Sequence, residues 1–332
     1  MNRKAISLLS GGLDSALSTK LVIDQGIEVV GLHFTSHFAS KRDKERGLQA
    51  VKTADELGIR LVVKDKGSEY LEVIKKPRYG YGKNMNPCID CRIFMLQKSE
   101  IVMTEENAGF LVTGEVIGQR PMSQTRHAIE LIEKKSGLTG LILRPLSAKL
   151  FPPTIPEQKG IIDRENLLNL SGRSRETQYN LVGLHNMKEF AHPGGGCLLT
   201  DPIFSCKLKD FMSENQEFTS RDIKLLTMGR YFRLDKDTVL FIGRNQEENG
   251  RLESFREAPY KLLSPCNFKG PKGVLRGTFS NSTLKIAAHI MIFYSKQELS
   301  TIIIESSNGL SETHIFAKEE IAIEPFKVKG TG

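Results

Sequence analysis

The residues best suited to chemistry are cysteines and one short glycine loop. Cysteines stand at positions 88, 91, 197, 206 and 266. Cys88 and Cys91, in Asn-Pro-Cys-Ile-Asp-Cys, are spaced so that both sulfurs can reach one metal or cluster. Cys197 follows Gly194, Gly195 and Gly196, which free the backbone around it. A structural zinc site wants four protein ligands. Three thiolates instead leave one iron of a cubane cluster open, where a sulfide could be held and presented to an electrophile. Cys91 and Cys197 could alternatively work as a persulfide and disulfide pair. Cys206 and Cys266 lack such surroundings and read as structural, with Cys206 an extra candidate ligand. An odd count argues against a disulfide framework.

The loop is Ser10-Gly11-Gly12-Leu13-Asp14-Ser15. Gly11 and Gly12 let the backbone turn and approach a ligand. The helix that follows offers unpaired N–H groups and the positive end of its dipole, and Ser10 and Ser15 add hydroxyls. The lysine usual in phosphate loops is missing, and Asp14 stands in the turn. Beside phosphates an acid is unfavourable alone; a bridging Mg²⁺, which prefers carboxylate and phosphate oxygens, reverses that sign.

The elements that must position these residues alternate. Residues 6–9, 28–34, 60–65 and 109–115 read as strands; residues 14–25, 41–57 and 91–106 read as helices. Apolar strands separated by helices predict an α/β fold, a parallel sheet wrapped on both faces, with ligands at the strand C-terminal ends. From residue 206 a helical connector is expected. Residues 231–244 and 285–295 then read as strands of a smaller C-terminal α+β domain, and residues 320–330 as a final strand. The expected division is 1–205, a connector over 206–228, and 229–332.

The chain has 332 residues and a net charge of +8, which favours polyanionic partners with salt-dependent binding. No apolar run reaches the length of a membrane helix. The first residues are too short for a signal peptide and lack a cleavage site. A cytoplasmic protein that does not engage membranes is expected.

The loop resembles the S-G-G-x-D-S signature of the PP-loop ATP pyrophosphatases, which adenylate a substrate and release pyrophosphate. Thr-Gly-Glu-Val-Ile-Gly-Gln-Arg-Pro-Met-Ser-Gln-Thr (residues 113–125), followed by Arg-Pro-Leu (144–146), resembles the PP-loop domain of ThiI, the tRNA 4-thiouridine synthases. Cys91 and Cys197 sit where the 2-thiouridylases, MnmA, have two active cysteines; MnmA commonly has Asp at the position of Cys88. The third cysteine resembles the cluster-dependent thiolases such as TtuA. The resemblance covers about residues 1–205.

The resemblance implies a Rossmann-like fold of the adenine nucleotide alpha hydrolase (HUP) type. It implies ATP, Mg²⁺ and a [4Fe–4S] cluster on Cys88, Cys91 and Cys197, with Cys91, Cys197 and Asp14 catalytic. Ser10, Gly11, Gly12, Asp14 and Ser15 would bind phosphates, and His33 and Phe34 would flank adenine. Gly114, Glu115 and Gln119 would lie at the nucleotide or target pocket. The implied partners are tRNA and a sulfur donor, either sulfide or a persulfide carrier such as a cysteine desulfurase; the ThiI likeness also implies a homodimer. The implied reaction is tRNA uridine thiolation, at the 4-carbonyl by the 113–125 match, with 2-thiouridine the alternative. A PP-loop ligase or amidotransferase acting on a small molecule would need an ammonia source and leave three cysteines unused. A non-catalytic RNA-binding protein is opposed by the intact loop.

No THUMP-like segment precedes the loop, and no rhodanese-like segment is evident, so RNA binding is expected elsewhere. Gly243, Arg244, Asn245 and Asn249 resemble a V-G-R-N-x-x-x-N segment of NFACT-type RNA-binding domains. A hairpin with an exposed Arg-Asn turn accounts for them equally well. Lys41, Arg42, Arg120 and Arg126 are further candidates for tRNA phosphate contacts.

Overall fold

Alternate residues of the first strands are apolar toward both sides, and the structure, a computed structural model, shows why. Ala5, Val29 and Val112 share one core with Val22 and Leu143. Ile6, Leu8, Val30, Leu32 and Leu111 share another with Leu96, Val102 and Ile132. Both faces of the sheet are covered, which demands near-continuous apolar strands. The structure describes residues 2–191, 196–215, 217–266, 268–295, 299–305, 311–317 and 322–330. They fall into two units, Met1–Thr200 and Asp201–Gly332.

The first unit runs β1 (Lys4–Leu8), α1 (Leu13–Ile23), β2 (Glu28–Thr35), α2 (Lys41–Glu56), β3 (Leu61–Asp65), α3 (Glu69–Lys75), α4 (Cys88–Glu105), β4 (Phe110–Thr113), α5 (Arg126–Ser136), β5 (Ile142–Leu143), α6 (Ile155–Gln158) and α7 (Glu176–Leu184). The strands are parallel in the order β3-β2-β1-β4-β5, with Ile6 opposite Val30 on one side and Leu111 on the other. Chain order reverses beside β1, and the crevice at its C-terminal end is where such sheets bind ligands. The expected doubly covered parallel sheet is present. Sequence-based boundaries move by a few residues, most usefully at α4, which begins at Cys88 rather than Cys91. Both cysteines of the C-x-x-C therefore lie in the first turn of one helix.

The second unit contains α8 (Pro202–Glu214), α9 (Ser220–Leu226), β6 (Arg230–Arg233), β7 (Thr238–Ile242), α10 (Gln246–Leu252), β8 (Tyr260–Pro265), β9 (Gly273–Gly277), α11 (Asn281–Ser295), β10 (Leu299–Glu305) and β11 (Ser311–Ala317). Its antiparallel sheet has the order β11-β10-β8-β9-β7-β6. Three expectations are corrected here. Residues 285–295 form most of helix α11, not a strand: Ala287, Ala288, Ile290 and Met291 bury one side against Leu240, Leu263 and Leu275. A short apolar run has no period that separates a buried strand from a buried helix. Residues 320–330 do not form a strand in their described part. Glu324–Phe326 is a 3₁₀ turn with Pro325 near its start, a residue that cannot donate to a ladder.

Residues 206–228 are not a free-standing connector. Lys207 Nζ donates to the Gly229 carbonyl at 2.8 Å, and Asp210 Oδ2 accepts from Tyr231 at 2.5 Å and Arg233 at 2.8 Å. These bonds make α8 part of the second unit. The division falls at the start of α8, where Asp201 accepts from the Phe204 N–H at 2.7 Å and Pro202 begins the helix. Among the described residues no helix is long and apolar enough to cross a membrane.

Candidate active site

At the C-terminal ends of β1, β2 and β4 the first unit has an open cavity of about 1120 Å³. Ser10, Gly12, Asp14 and Ser15 line it from the loop after β1. His33 and Phe34 line it from β2, and Gly114, Glu115 and Gln119 from the segment after β4. Cys88, Cys91 and Cys197 also line it. Nearly every residue singled out in the sequence therefore meets in one space.

Among the residues expected at the phosphates, Gly11 is the exception. It does not line the cavity; a Cβ there would lie 2.3 Å from the Arg46 carbonyl and 2.7 Å from the Ala50 nitrogen, both backbone atoms of α2. With φ at +76° it also occupies the left-handed region that favours glycine. Gly11 lets the loop pack on α2, while Gly12 lines the cavity. Gly12 precedes α1 in extended conformation, and the Leu13 and Asp14 N–H groups at the start of the helix have no side-chain cap. Ser15 donates to the Gly12 carbonyl at 2.8 Å, and its oxygen lies 3.1 Å from Ser10 Oγ. These bonds hold both hydroxyls beside the loop.

Asp14 Oδ2 lies 3.5 Å from Arg175 Nε, and its Oδ1 accepts from Gln178 Nε2 at 3.4 Å. His33 Nδ1 lies 2.9 Å from the Leu9 carbonyl, tying the end of β2 to the loop. A Cβ on Gly114 would sit 2.6 Å from the Ser15 nitrogen, so a glycine there lets β4 approach the start of α1.

Glu115 is 3 % exposed and accepts from Arg92 Nε at 2.9 Å and Arg144 Nε at 3.1 Å. Burial alone would raise its pKa; the two guanidiniums outweigh it and hold the carboxyl below the usual range. Arg92 follows directly on Cys91 in α4. One buried ion network thus joins the end of β4 to the helix that carries the C-x-x-C. Gln119 is also buried, and its Nε2 has no hydrogen-bond partner.

The cysteines differ in character. Burial pushes the Cys91 thiol up, but the Lys66 ammonium 3.2 Å away, the Tyr70 hydroxyl and Arg92 outweigh it, leaving its pKa below the ordinary thiol range. Lys66 also lies over the Tyr70 ring, 4.5 Å from its centroid. Cys197 is pushed up to about 12, by burial and then by the charge of Cys91. Cys88 is raised by burial, against a hydrogen bond from Asn86 at 3.2 Å. The Cys197 segment is zipped to residues 38–40: Leu198 N donates to the Phe38 carbonyl at 2.9 Å and Ser40 N to Gly196 at 2.8 Å. Gly194 and Gly195 lie outside the described residues. Cys206, the extra candidate ligand, belongs to α8 of the second unit.

The three thiols carry no disulfide, and the charge of Cys91 acts on both Cys88 and Cys197. Among the described residues no three of His, Cys, Asp and Glu converge on a single metal ion. A cubane cluster spreads its thiolates over separate irons, and three thiols around one cavity fit that donor set. Asp14, a carboxylate at the phosphate loop, fits a hard cation such as Mg²⁺.

Sequence reasoning missed Lys66, Tyr70, Arg92 and Arg175, all of which line the cavity. Lys66 had a usable signal, since it directly follows a parallel strand at its C-terminal end. The other three are brought in by helices, and only packing reveals them.

Residues 1–149 match the family model described as thiamine biosynthesis protein (ThiI). Over these residues the first unit is similar to the ThiI family. Residues 229–326 match the NFACT protein RNA binding domain. Among curated relatives, the ThiI-like unit is similar to a probable tRNA sulfurtransferase of Alkaliphilus metalliredigens, 34% identical over 148 residues, 44% of this chain and 36% of that protein. It is also similar to the tRNA-specific 2-thiouridylase MnmA of Sulfurimonas denitrificans, 36% identical over 94 residues, 27% of this chain and 28% of that one. The match thus spans about a third of the length of these relatives. A solved 4-thiouridine synthetase–RNA complex with bound ATP aligns with a TM-score of 0.36 and 24% identity, over 54% of this chain and 50% of that chain.

Proposed function

We propose that this chain is an ATP-dependent tRNA sulfurtransferase that converts a uridine to 4-thiouridine. One observation carries the reading: the S-G-G-x-D-S loop and the thiols of Cys88, Cys91 and Cys197 open on the same cavity. Activation and sulfur entry must occur at one carbon, so both groups must face one substrate atom.

In the first half, the uridine O4 attacks the α-phosphate of ATP as N3 gives up its proton. The bond to the bridging oxygen breaks, and its electron pair leaves with pyrophosphate. The first-turn N–H groups of α1, with Ser10 and Ser15, stabilise charge that develops on the phosphate. His33 and Phe34 flank the base, and Gln119 offers the nucleotide or uridine a buried donor that otherwise has no partner. Asp14 would hold Mg²⁺, which supplies charge compensation at the departing pyrophosphate. In the second half a sulfur nucleophile attacks C4 and expels AMP, leaving C4=S. Cys88, Cys91 and Cys197 would hold a [4Fe–4S] cluster, whose one iron without a protein ligand supplies a Lewis-acidic anchor for sulfur. The sulfur comes as sulfide, or from a persulfide carrier such as a cysteine desulfurase. By the second route the persulfide, on one of Cys91 and Cys197, first bonds C4 as C4–S–S–Cys. The other of the two then attacks the cysteine sulfur, leaving C4=S and a protein disulfide that an external thiol reduces. The second unit, similar to RNA-binding domains, would hold the tRNA. There Arg244 is half-exposed and paired with Glu248 at 2.7 Å, and Asn245 caps α10.

Support for the 4-position is the ThiI-family match, which runs through residues 113–125. The test is mass spectrometry of tRNA nucleosides from strains with and without the gene, paired with AMP release by the purified protein. Loss of 4-thiouridine, and AMP formed in step with thiolation, are expected. Loss of 2-thiouridine would move the attack to the 2-carbonyl, and an unchanged nucleoside profile would end the thiolation reading. Anaerobically purified protein that thiolates tRNA but holds no iron would remove the cluster.

A further inference from the structure

From Leu8 to Thr19 the loop and the start of α1 carry a single charge, the negative one of Asp14. A triphosphate brought to this loop needs a cation from elsewhere in the fold. The cations lining the cavity are Lys44, Arg46, Lys66, Arg92, Arg120 and Arg175, of which Lys66 is engaged by Cys91 and Arg92 by Glu115. Arg175 stands against the loop itself, its Nε 3.5 Å from Asp14 Oδ2.

The segment that carries Arg175 is fastened on both sides to the same region. At one end Gly172 N donates to the Ile117 carbonyl, just beyond β4, at 2.7 Å. At the other, Ala191 N donates to the Gly11 carbonyl at 2.7 Å, and Ala191 pairs with Gly12 as a parallel bridge. Arg175 immediately precedes α7, which packs on α1, and buried Gln178 reaches Asp14 from the same helix. The backbone of Arg175 is therefore held in place relative to the phosphate loop. Its guanidinium is held less firmly: Nε is buried yet makes no hydrogen bond, so Asp14 retains it by charge and not by an aligned donor.

We infer that Arg175 is the triphosphate-binding cation of this site, supplying from α7 the charge that the loop lacks. With ATP bound, its guanidinium leaves Asp14 for β- and γ-phosphate oxygens, whose planar oxygen pairs suit the guanidinium fork. That exchange frees the Asp14 carboxylate for Mg²⁺. When the α-phosphorus–oxygen bond breaks, the electron pair goes to pyrophosphate, where Arg175 offsets the added charge. AMP has no β- or γ-phosphate and makes no use of Arg175. The inference rests on reading the loop as an ATP site and adds a residue outside the stretch matched to ThiI.

The test is calorimetric binding of ATP and of AMP, each with Mg²⁺, to the full chain and to Arg175→Ala, Arg175→Gln and Arg175→Lys. Losing this cation should weaken ATP about tenfold, equivalent to about 1.4 kcal/mol, while AMP changes by less than about twofold. Arg175→Lys should recover part of the loss, and thermal unfolding identifies any variant that fails to fold, leaving the others to decide. Unchanged ATP binding in the Gln and Ala variants, or equal weakening of ATP and AMP, overturns the inference and leaves the ATP site standing. Failure of the unsubstituted chain to bind ATP overturns both.

Discussion

Three cysteines around one cavity are not chemically equivalent. Cys91 has an ammonium, a phenol and a guanidinium directed at it, whereas Cys88 and Cys197 have mostly burial and the charge of Cys91. The thiolate is the reactive form of cysteine, with an ordinary pKa of about 8.5. A lowered pKa keeps Cys91 as thiolate below that value; a raised one keeps Cys88 and Cys197 protonated through it. In metal-free protein, iodoacetamide should therefore label Cys91 first near neutral pH. The midpoint of its rate against pH should lie below that of a free thiol. Lys66→Met should move that midpoint upward, and peptide mass spectrometry after timed labelling reads both effects. Labelling of Cys197 ahead of Cys91 would contradict the assignment.

At the scale of elements, the site depends on how closely α1 approaches the end of β4. The contact is made across Gly114, where a methyl group would collide with the backbone of Asp14 and Ser15. Backbone cannot swing aside as a side-chain tip can. Gly114→Ala should cost about 1–3 kcal/mol of stability, the usual penalty of overpacking. It should also weaken ATP binding by displacing the first-turn N–H groups. Thermal unfolding with ATP titration checks both, and a variant of unchanged melting temperature and affinity would show that the approach is not required. The Glu115–Arg92–Arg144 network is a second link between elements. Removing one member of such a buried network strands its partners, at about 3–5 kcal/mol.

The whole molecule pairs a ThiI-like unit with a unit similar to RNA-binding domains, under a net charge of +8. Binding of tRNA through its phosphates should be steeply salt-dependent. For about six phosphate contacts, affinity should fall on the order of 10³-fold between 50 and 200 mM salt. ATP binding in the cavity of the first unit, which involves fewer charges, should change far less. Filter binding of tRNA at a series of salt concentrations decides this, and a flat response would argue against phosphate-led recognition.

The parallel sheet, the phosphate loop and the C-x-x-C were legible in the sequence because each rests on local spacing. Glycines allow a turn, alternating apolar runs demand two covered faces, and cysteines two residues apart share a helix turn. Residues 285–295 were misread as a strand because a short apolar run has no period that separates the two. Gly11 shows its turn in the local sequence but not its packing on α2, because that neighbour is distant in sequence. Tyr70 and Arg175 reach the site from elements far from it in sequence, and nothing in their own surroundings announces that meeting. The sequence by itself determined which chemistries were available: a polyanion loop without a lysine, an acid suited to a metal, and thiols in reach of one another. Only the tertiary structure decided which groups share one cavity and which cation stands against Asp14, because burial and long-range contact set the charge and placement of each group.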